Sequence, residues 1–246
     1  MLKPYRMIRN TLESEEEKRL PRDFGLLCWN VHKQNLGDTF DRFLGELMER
    51  YAIDLVAFQE VKIYSGRGSV LDSFHFSLAP NIRFLNHVYG VLNGSRMKEI
   101  ETFPLLSSHR EAMIRTRKSA IFSIYPMDNG EPLLVVNLHA INFRENTVYN
   151  KELDAVFERI RHYFGAMIVT GDFNSWNKKR IGFVMKMAGA LELQAVEIEQ
   201  AHLIKSFMSC KLDHIFYRGL KLIESRAVDV GKLSDHNALY ARFRSL

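Results

Sequence analysis

Apolar runs of strand length recur along this chain, and the residues that close them are able to bind metal or move protons. The runs are FGLLCWNV (24–31), DLVAFQEV (54–61), LLVVNLHA (133–140) and AMIVTGDFN (166–174). Apolar side chains on consecutive positions fit strands covered on both faces. Between the runs the period changes to that of a helix. Phe40, Phe43, Leu44, Leu47, Met48 and Tyr51 mark one helical face, with Asp38 or Thr39 placed to cap it. Tyr149, Leu153, Val156, Phe157, Ile160 and Phe164 mark a second, and residues 178–189 read as a third helix. HFSLA (75–79), YGVL (89–92), SAIFSIYP (119–126), LDHIFYRG (212–219), LIESRAVDV (222–230) and NALYARF (237–243) read as further strands. Asp128–Asn129–Gly130 signals a hairpin, while Ser65–Ser69 and Asn93–Arg96 read as turns. Many strands with helices between them predict an α/β class built of two packed sheets covered by helices.

Residues 1–22 are polar, with the charge run Glu15–Arg19, and are expected to be a mobile lead-in. No repeat, low-complexity linker or composition break follows residue 23, so 23–246 is expected to be a single domain. The net charge of +5 is compatible with a polyanionic substrate without demanding one. Cys28 and Cys210 do not make a disulfide framework, and Cys28, inside an apolar run, reads as a reduced buried thiol. No apolar stretch approaches the roughly 20 residues that cross a bilayer. The first residues carry no continuous apolar segment of secretory type, so the expected location is the cytoplasm and the expected state a monomer.

The run-ending residues are Asn30, Glu60, Asn137 with His139, Asp172 with Asn174, and Asp235 with His236 ahead of the last strand. Strand alternation puts residues two apart on one face, which pairs Asn137 with His139 and Asp172 with Asn174. A single strand-terminal Asp is most often a cap, and a single strand His a satisfied half-buried residue. If those strand ends converge, the result is a rim of carboxylates, amides and imidazoles on a rigid scaffold.

Trp29–Asn30–Val31, Gln59–Glu60, Asn137–Leu138–His139–Ala140, Gly171–Asp172–Phe173–Asn174, Leu212–Asp213–His214–Ile215 and Ser234–Asp235–His236 resemble the motifs of the endonuclease/exonuclease/phosphatase family, in that family's order. The runs Trp29–Gln34, His139–Phe143 and Phe216–Gly219 are similar to its bacterial YafD-like branch. The resemblance implies a deoxyribonuclease-like α+β four-layer sandwich with mostly antiparallel sheets. It also implies a Mg²⁺-dependent phosphoesterase, with Mn²⁺ as a substitute ion.

By that resemblance Glu60 and Asn30 sit at the metal, and Asp235 reaches it directly or through water; whether one or two metals act stays open. Asp172 orients or deprotonates the attacking water, and Asn174 binds the phosphate. His236 contacts the phosphate or acts as the acid–base partner, with Asp213 orienting it. His139 stands where the abasic-site branch carries an aromatic hydroxyl and where other branches place a catalytic His, often the general acid for the leaving group. With His32, where many repair enzymes carry Asp, it argues against abasic-site repair. Lys118, Asn142, Lys178 and Arg180 are expected to contact substrate, with Arg115, Arg117 and Lys179 beside them, and Trp176 and Phe143 could stack on a base or pack in the core. The favoured substrate is a nucleic-acid phosphodiester. The alternatives are a phospholipid, phosphoinositide or small phosphorylated metabolite, and, from another class, a binding module without chemistry.

Overall fold

The computed structural model describes residues 6–12, 18–64, 70–111 and 116–246. In chain order the strands are β1 (Ile8–Asn10), β2 (Asp23–Asn30), β3 (Leu55–Tyr64), β4 (His75–Phe84), β5 (His87–Ser95), β6 (Glu101–Leu106), β7 (Ser119–Pro126) and β8 (Pro132–His139). They continue as β9 (Ala166–Asp172), β10 (Gln194–Ala195), β11 (Ser206–Phe207), β12 (Cys210–Lys211), β13 (Asp213–Arg218), β14 (Leu220–Val228) and β15 (Ala238–Ser245). The helices are α1 (Asp38–Arg50), α2 (Asn146–Glu158) and α3 (Lys178–Ala190).

One sheet runs β1-β4-β5-β3-β2-β15-β14 and the other β10-β13-β9-β8-β7-β6. Their inner faces meet through Leu26, Cys28, Leu55 and Ala57 on one side and Val135, Ile168 and Ile215 on the other. The outer face of the first sheet, Leu27, Trp29, Val56 and Phe58, is covered by Phe40, Leu44 and Leu47 of α1. The outer face of the second, Phe122, Leu134, Val136 and Val169, is covered by α2 and α3. Helix, sheet, sheet and helix make the four layers, and this explains why the strands are apolar on consecutive residues. Each fully buried Leu or Phe contributes about 1.5–3 kcal/mol. Cys28 lies in the inner layer, where burial pushes its thiol up to about 12. It is a packing residue.

Pairing is antiparallel except for β2 with β3 and β8 with β9. Those two parallel pairs position the site. A parallel pair needs a crossover, supplied here by α1 and α2, and it brings both carboxyl ends to one edge. Asn30 therefore lies opposite Gln59, and His139 opposite Asp172. Antiparallel β13 starts where β9 ends, setting Asp213 opposite Asp172. Antiparallel β15 starts where β2 ends, so the preceding Asp235 and His236 fall at the same edge.

Several expectations change. Asn93–Ser95 is strand: β5 continues to Ser95, pairing with Leu55–Ala57 and with His75–Ser77. Gly94 is there because β5 is central, and a Cβ would meet Val56 Cγ2 at 2.8 Å. The Asn93 amide is buried between the sheets, donating to Ser123 Oγ and to Val135 O. Strands β1 and β6 escaped the sequence reading, and α2 ends at Glu158, leaving Phe164 exposed. The described part of the lead-in is tied down, since β1 pairs with β4 and Leu20 is buried against the second sheet's Met127. The expected turn at Ser65–Ser69, the Glu15–Glu17 run and Arg115 lie outside the described residues. Among the described residues no helix is long and apolar enough to cross a membrane.

Candidate active site

The strand ends converge on one oxygen. Asp172 Oδ2 accepts from Asn30 Nδ2 at 3.1 Å and lies 3.4 Å from His139 Nε2 and 3.8 Å from His236 Nε2. Its other oxygen accepts the Asn174 backbone N–H at 3.0 Å, while Asn174 Nδ2 donates to Ala140 O. Behind this layer Asp213 Oδ2 lies 2.8 Å from His236 Nδ1. Asn30, His139, Asp172, Asn174, Asp213 and His236 are all buried. The cluster is held from behind: Trp29 Nε1, stacked on Phe40 of α1, donates to His236 O at 2.9 Å.

Local backbone distortion aims the side chains. Glu60 sits at a register shift in β3, between Phe58 and Val61, with φ 53°. A non-glycine residue held there is strained, and the bulge turns its carboxylate to the rim, 3.9 Å from His139 Nε2. Asn174, just beyond β9, also has a left-handed φ of 48°, as do His32 and Lys33 with their own positive values. Gly171, with φ 137°, precedes Asp172 because a Cβ would stand 2.0 Å from Leu138 O.

The electrostatics divide the histidines. Burial alone would lower His236, but the Asp213 carboxylate outweighs it and raises the imidazole to about 9. His139 goes the other way, to about 4, because burial and the Lys118 ammonium outweigh Asp172 and Glu60. Lys118 Nζ lies 2.9 Å from His139 Nε2 and 3.6 Å from Glu111 Oε1. Burial raises the Glu60 carboxyl, yet its neighbours His139, Lys118 and Lys33 hold it well below the ordinary carboxylate range.

These shifts make a stability prediction. A raised histidine stabilises fully below its unfolded value, about 6.5, and loses that contribution as pH rises through its folded value. His236 therefore weakens the fold between about 6.5 and about 9. His139 and His214, both pushed down to about 4 with burial the leading cause, weaken it as pH falls from about 6.5 to 4. Urea midpoints in EDTA should peak near pH 6.5, and Asp213→Asn should flatten the alkaline limb. A wild-type alkaline limb that is already flat would contradict a charged Asp213–His236 pair.

A second group of possible metal donors stands beside the Glu60 and Asn30 expected from sequence. The compact three-ligand group among the described residues is Asp172, Asp213 and His236, with donor atoms within 4.8 Å of one another. Asp213 Oδ1 is buried without a hydrogen-bond partner, as expected of an oxygen awaiting a cation or water. Glu60 and Asn30 flank this group, so oxygen donors suited to a hard divalent ion are at hand. Asp235 stands apart, half exposed, bonded to Lys205 and 3.6 Å from His32 Nδ1.

Among the expected substrate contacts, Lys118 joins the cluster and Lys178 is exposed on the first turn of α3. Asn142 is beside the site, its Oδ1 accepting from Trp176 Nε1. Arg180 is a correction. It is fully buried between Tyr149 and Trp176, and its guanidinium donates to the carbonyls of Asn142, Arg144 and Asn174 and to Asn146 Oδ1. With its donors committed, it shapes the loop and has none left for a phosphate. Sequence reasoning missed Lys33, Lys205 and Glu111. Lys33 stood in view in the polar run 32–35; Glu111 carried no signal.

The family described as Endonuclease/Exonuclease/phosphatase matches the chain over residues 27–236. A UPF0294 protein of Vibrio cholerae (serotype O1, El Tor Inaba N16961) is 32% identical over 230 residues, covering 92% of this chain and 80% of that protein. The human nocturnin catalytic domain, solved with a bound sulfate anion, superposes with a TM-score of 0.66 at 18% identity, covering 92% of this chain and 96% of its own. D. rerio TDP2, solved with a single-strand DNA product, gives 0.66 at 16% identity, covering 91% and 99%. At these identities the structural likeness speaks for the fold.

Proposed function

The chain belongs to the endonuclease/exonuclease/phosphatase family and, within it, to the UPF0294 or YafD-like branch, and on that premise we propose that it is a divalent-metal-dependent phosphodiesterase. The observation that carries this reading is the convergence of Asn30, His139 and His236 on Asp172 Oδ2, with Asp213 behind His236. A divalent ion held by Glu60 and Asn30, Mg²⁺ or Mn²⁺, would neutralise phosphoryl charge and acidify water.

The chain's own residues do the rest. Asp172 orients a water for attack on phosphorus and accepts its proton. His236, charged through Asp213, donates its Nε2–H to a phosphoryl oxygen, and Asn174 helps to bind the phosphate as it becomes trigonal bipyramidal. His139, kept unprotonated by burial and Lys118, does not store the leaving group's proton. The Lys118 ammonium brings positive charge to that side. The P–O bond to the departing alcohol breaks as its oxygen takes a proton from solvent water, and Asp172 afterwards returns its proton to solvent.

A nucleic acid is the favoured substrate: the net charge is +5, and TDP2, of the same fold, was solved with a DNA product. The purified chain with Mg²⁺ or Mn²⁺ should hydrolyse bis(p-nitrophenyl) phosphate, and EDTA should stop it. Glu60→Gln should lose about 10²–10³-fold in kcat, as for removal of one electrostatic element. Full activity in Glu60→Gln would sink the scheme. Single-stranded, duplex and abasic DNA, RNA, inositol lipids and phosphorylated metabolites then rank the substrates.

A further inference from the structure

Glu60 has a cation beside it to which the scheme above gives no task. Lys33 Nζ lies 2.6 Å from Glu60 Oε2. The backbone, more than the side chain's reach, sets this contact: Lys33 N donates to Glu60 O at 3.0 Å. Both residues, and His32 between Asn30 and this bond, hold left-handed φ values of 64°, 53° and 45°. Each such conformation is strained and persists only where the surroundings impose it. The chain thus accepts strain on both sides of the bond that keeps this lysine at this carboxylate. In front of the pair is a small cavity lined also by Thr116, Lys118 and His139, so two ammonium groups border the space beside Glu60. Asp235 repeats the arrangement at the rim, bonded to Lys205.

We propose that Lys33 is the resident counter-ion of Glu60: it holds the carboxylate in the metal-free protein, yields it to the divalent ion, and then faces the incoming phosphate. This rests on the reading of Glu60 as a metal ligand. A carboxylate withdrawn from water needs a positive partner or it destabilises the fold. Lys33 supplies one at little cost to metal binding, because its side chain is 49% exposed and the displaced ammonium passes directly into water. Its backbone stays tied to Glu60 O, so the released ammonium remains beside whatever anion the metal attracts. Metal and phosphate binding must then reinforce each other, by linkage through one side chain.

Calorimetric titration of Mn²⁺ into the EDTA-treated, dialysed full chain, with and without inorganic phosphate, tests this without any assay of turnover. Lys33→Gln should bind Mn²⁺ about fivefold more tightly without phosphate, the effect of removing a partly exposed ion pair. Phosphate should tighten Mn²⁺ binding in the wild type and do so much less in Lys33→Gln. Lys33→Arg, which keeps the charge, should behave as wild type in both titrations. Unchanged or weaker Mn²⁺ binding in Lys33→Gln overturns the proposal. So does a phosphate effect that survives this substitution intact, or an Arg variant that behaves like Gln. Undiminished Mn²⁺ binding in Glu60→Gln instead overturns the metal assignment beneath it.

Discussion

Asp172→Asn is expected to lower kcat/KM on bis(p-nitrophenyl) phosphate by at least ~10³-fold, the scale for losing one member of a group acting as a unit. Its Oδ2 is the atom on which Asn30, His139 and His236 converge, so no neighbour can replace it. An amide of the same shape still accepts at its oxygen but cannot take a proton from water. The fold should survive at modest cost, because the single amide oxygen keeps the bond from the Asn174 backbone N–H, while Asn30 Nδ2 then faces an NH2 group and loses its acceptor. Circular dichroism melts should therefore overlay those of the wild type to within a few degrees. Retention of activity within tenfold would remove Asp172 from the centre of the mechanism.

The largest expected effect on stability lies at Arg180. Arg180→Met should lower the free energy of unfolding by about 3–5 kcal/mol, the scale for disrupting a buried charged network. The thioether fills part of the slot between Tyr149 and Trp176, but the carbonyls of Asn142, Arg144 and Asn174 lose their donors. Lysine should not rescue this, since a point charge with a flexible stem cannot reproduce the planar fork. Urea unfolding at constant m-value is the measurement. A loss below about 1 kcal/mol would mean that the carbonyls can be served by water.

Much of this architecture was legible because strand burial on both faces leaves a plain mark on sequence. FGLLCWNV, LLVVNLHA and AMIVTGDFN could only be covered strands, and their polar ends named Asn30, His139 and Asp172 before any pairing was known. Three features had no such mark. Strand β6, with Glu101, Thr102 and Pro104, is an edge strand whose composition resembles a loop. Asn93–Gly94 carries the usual turn signal, and central pairing overrode it. Arg180 sits among basic residues that look solvated, and only the fold shows that one helix face turns it inward while Lys178 and Lys179 stay out. Lys33 and Glu60 belong to a fourth kind: their meeting depends on positive φ angles at residue types that do not advertise them.

The two parallel strand pairs belong to different sheets, and this bears on when the protein can act. Asn30 and Glu60 lie in the first sheet and His236 just ahead of its β15, while His139, Asp172 and Asp213 lie in strands of the second. The bonds Asn30–Asp172 and His236–Asp213 both cross the gap between them. Neither sheet alone carries a working fraction of the centre. On the proposed scheme, activity therefore requires both sheets to be formed and docked. Under that scheme, turnover would read out sheet docking and respond to core substitutions far from any substrate.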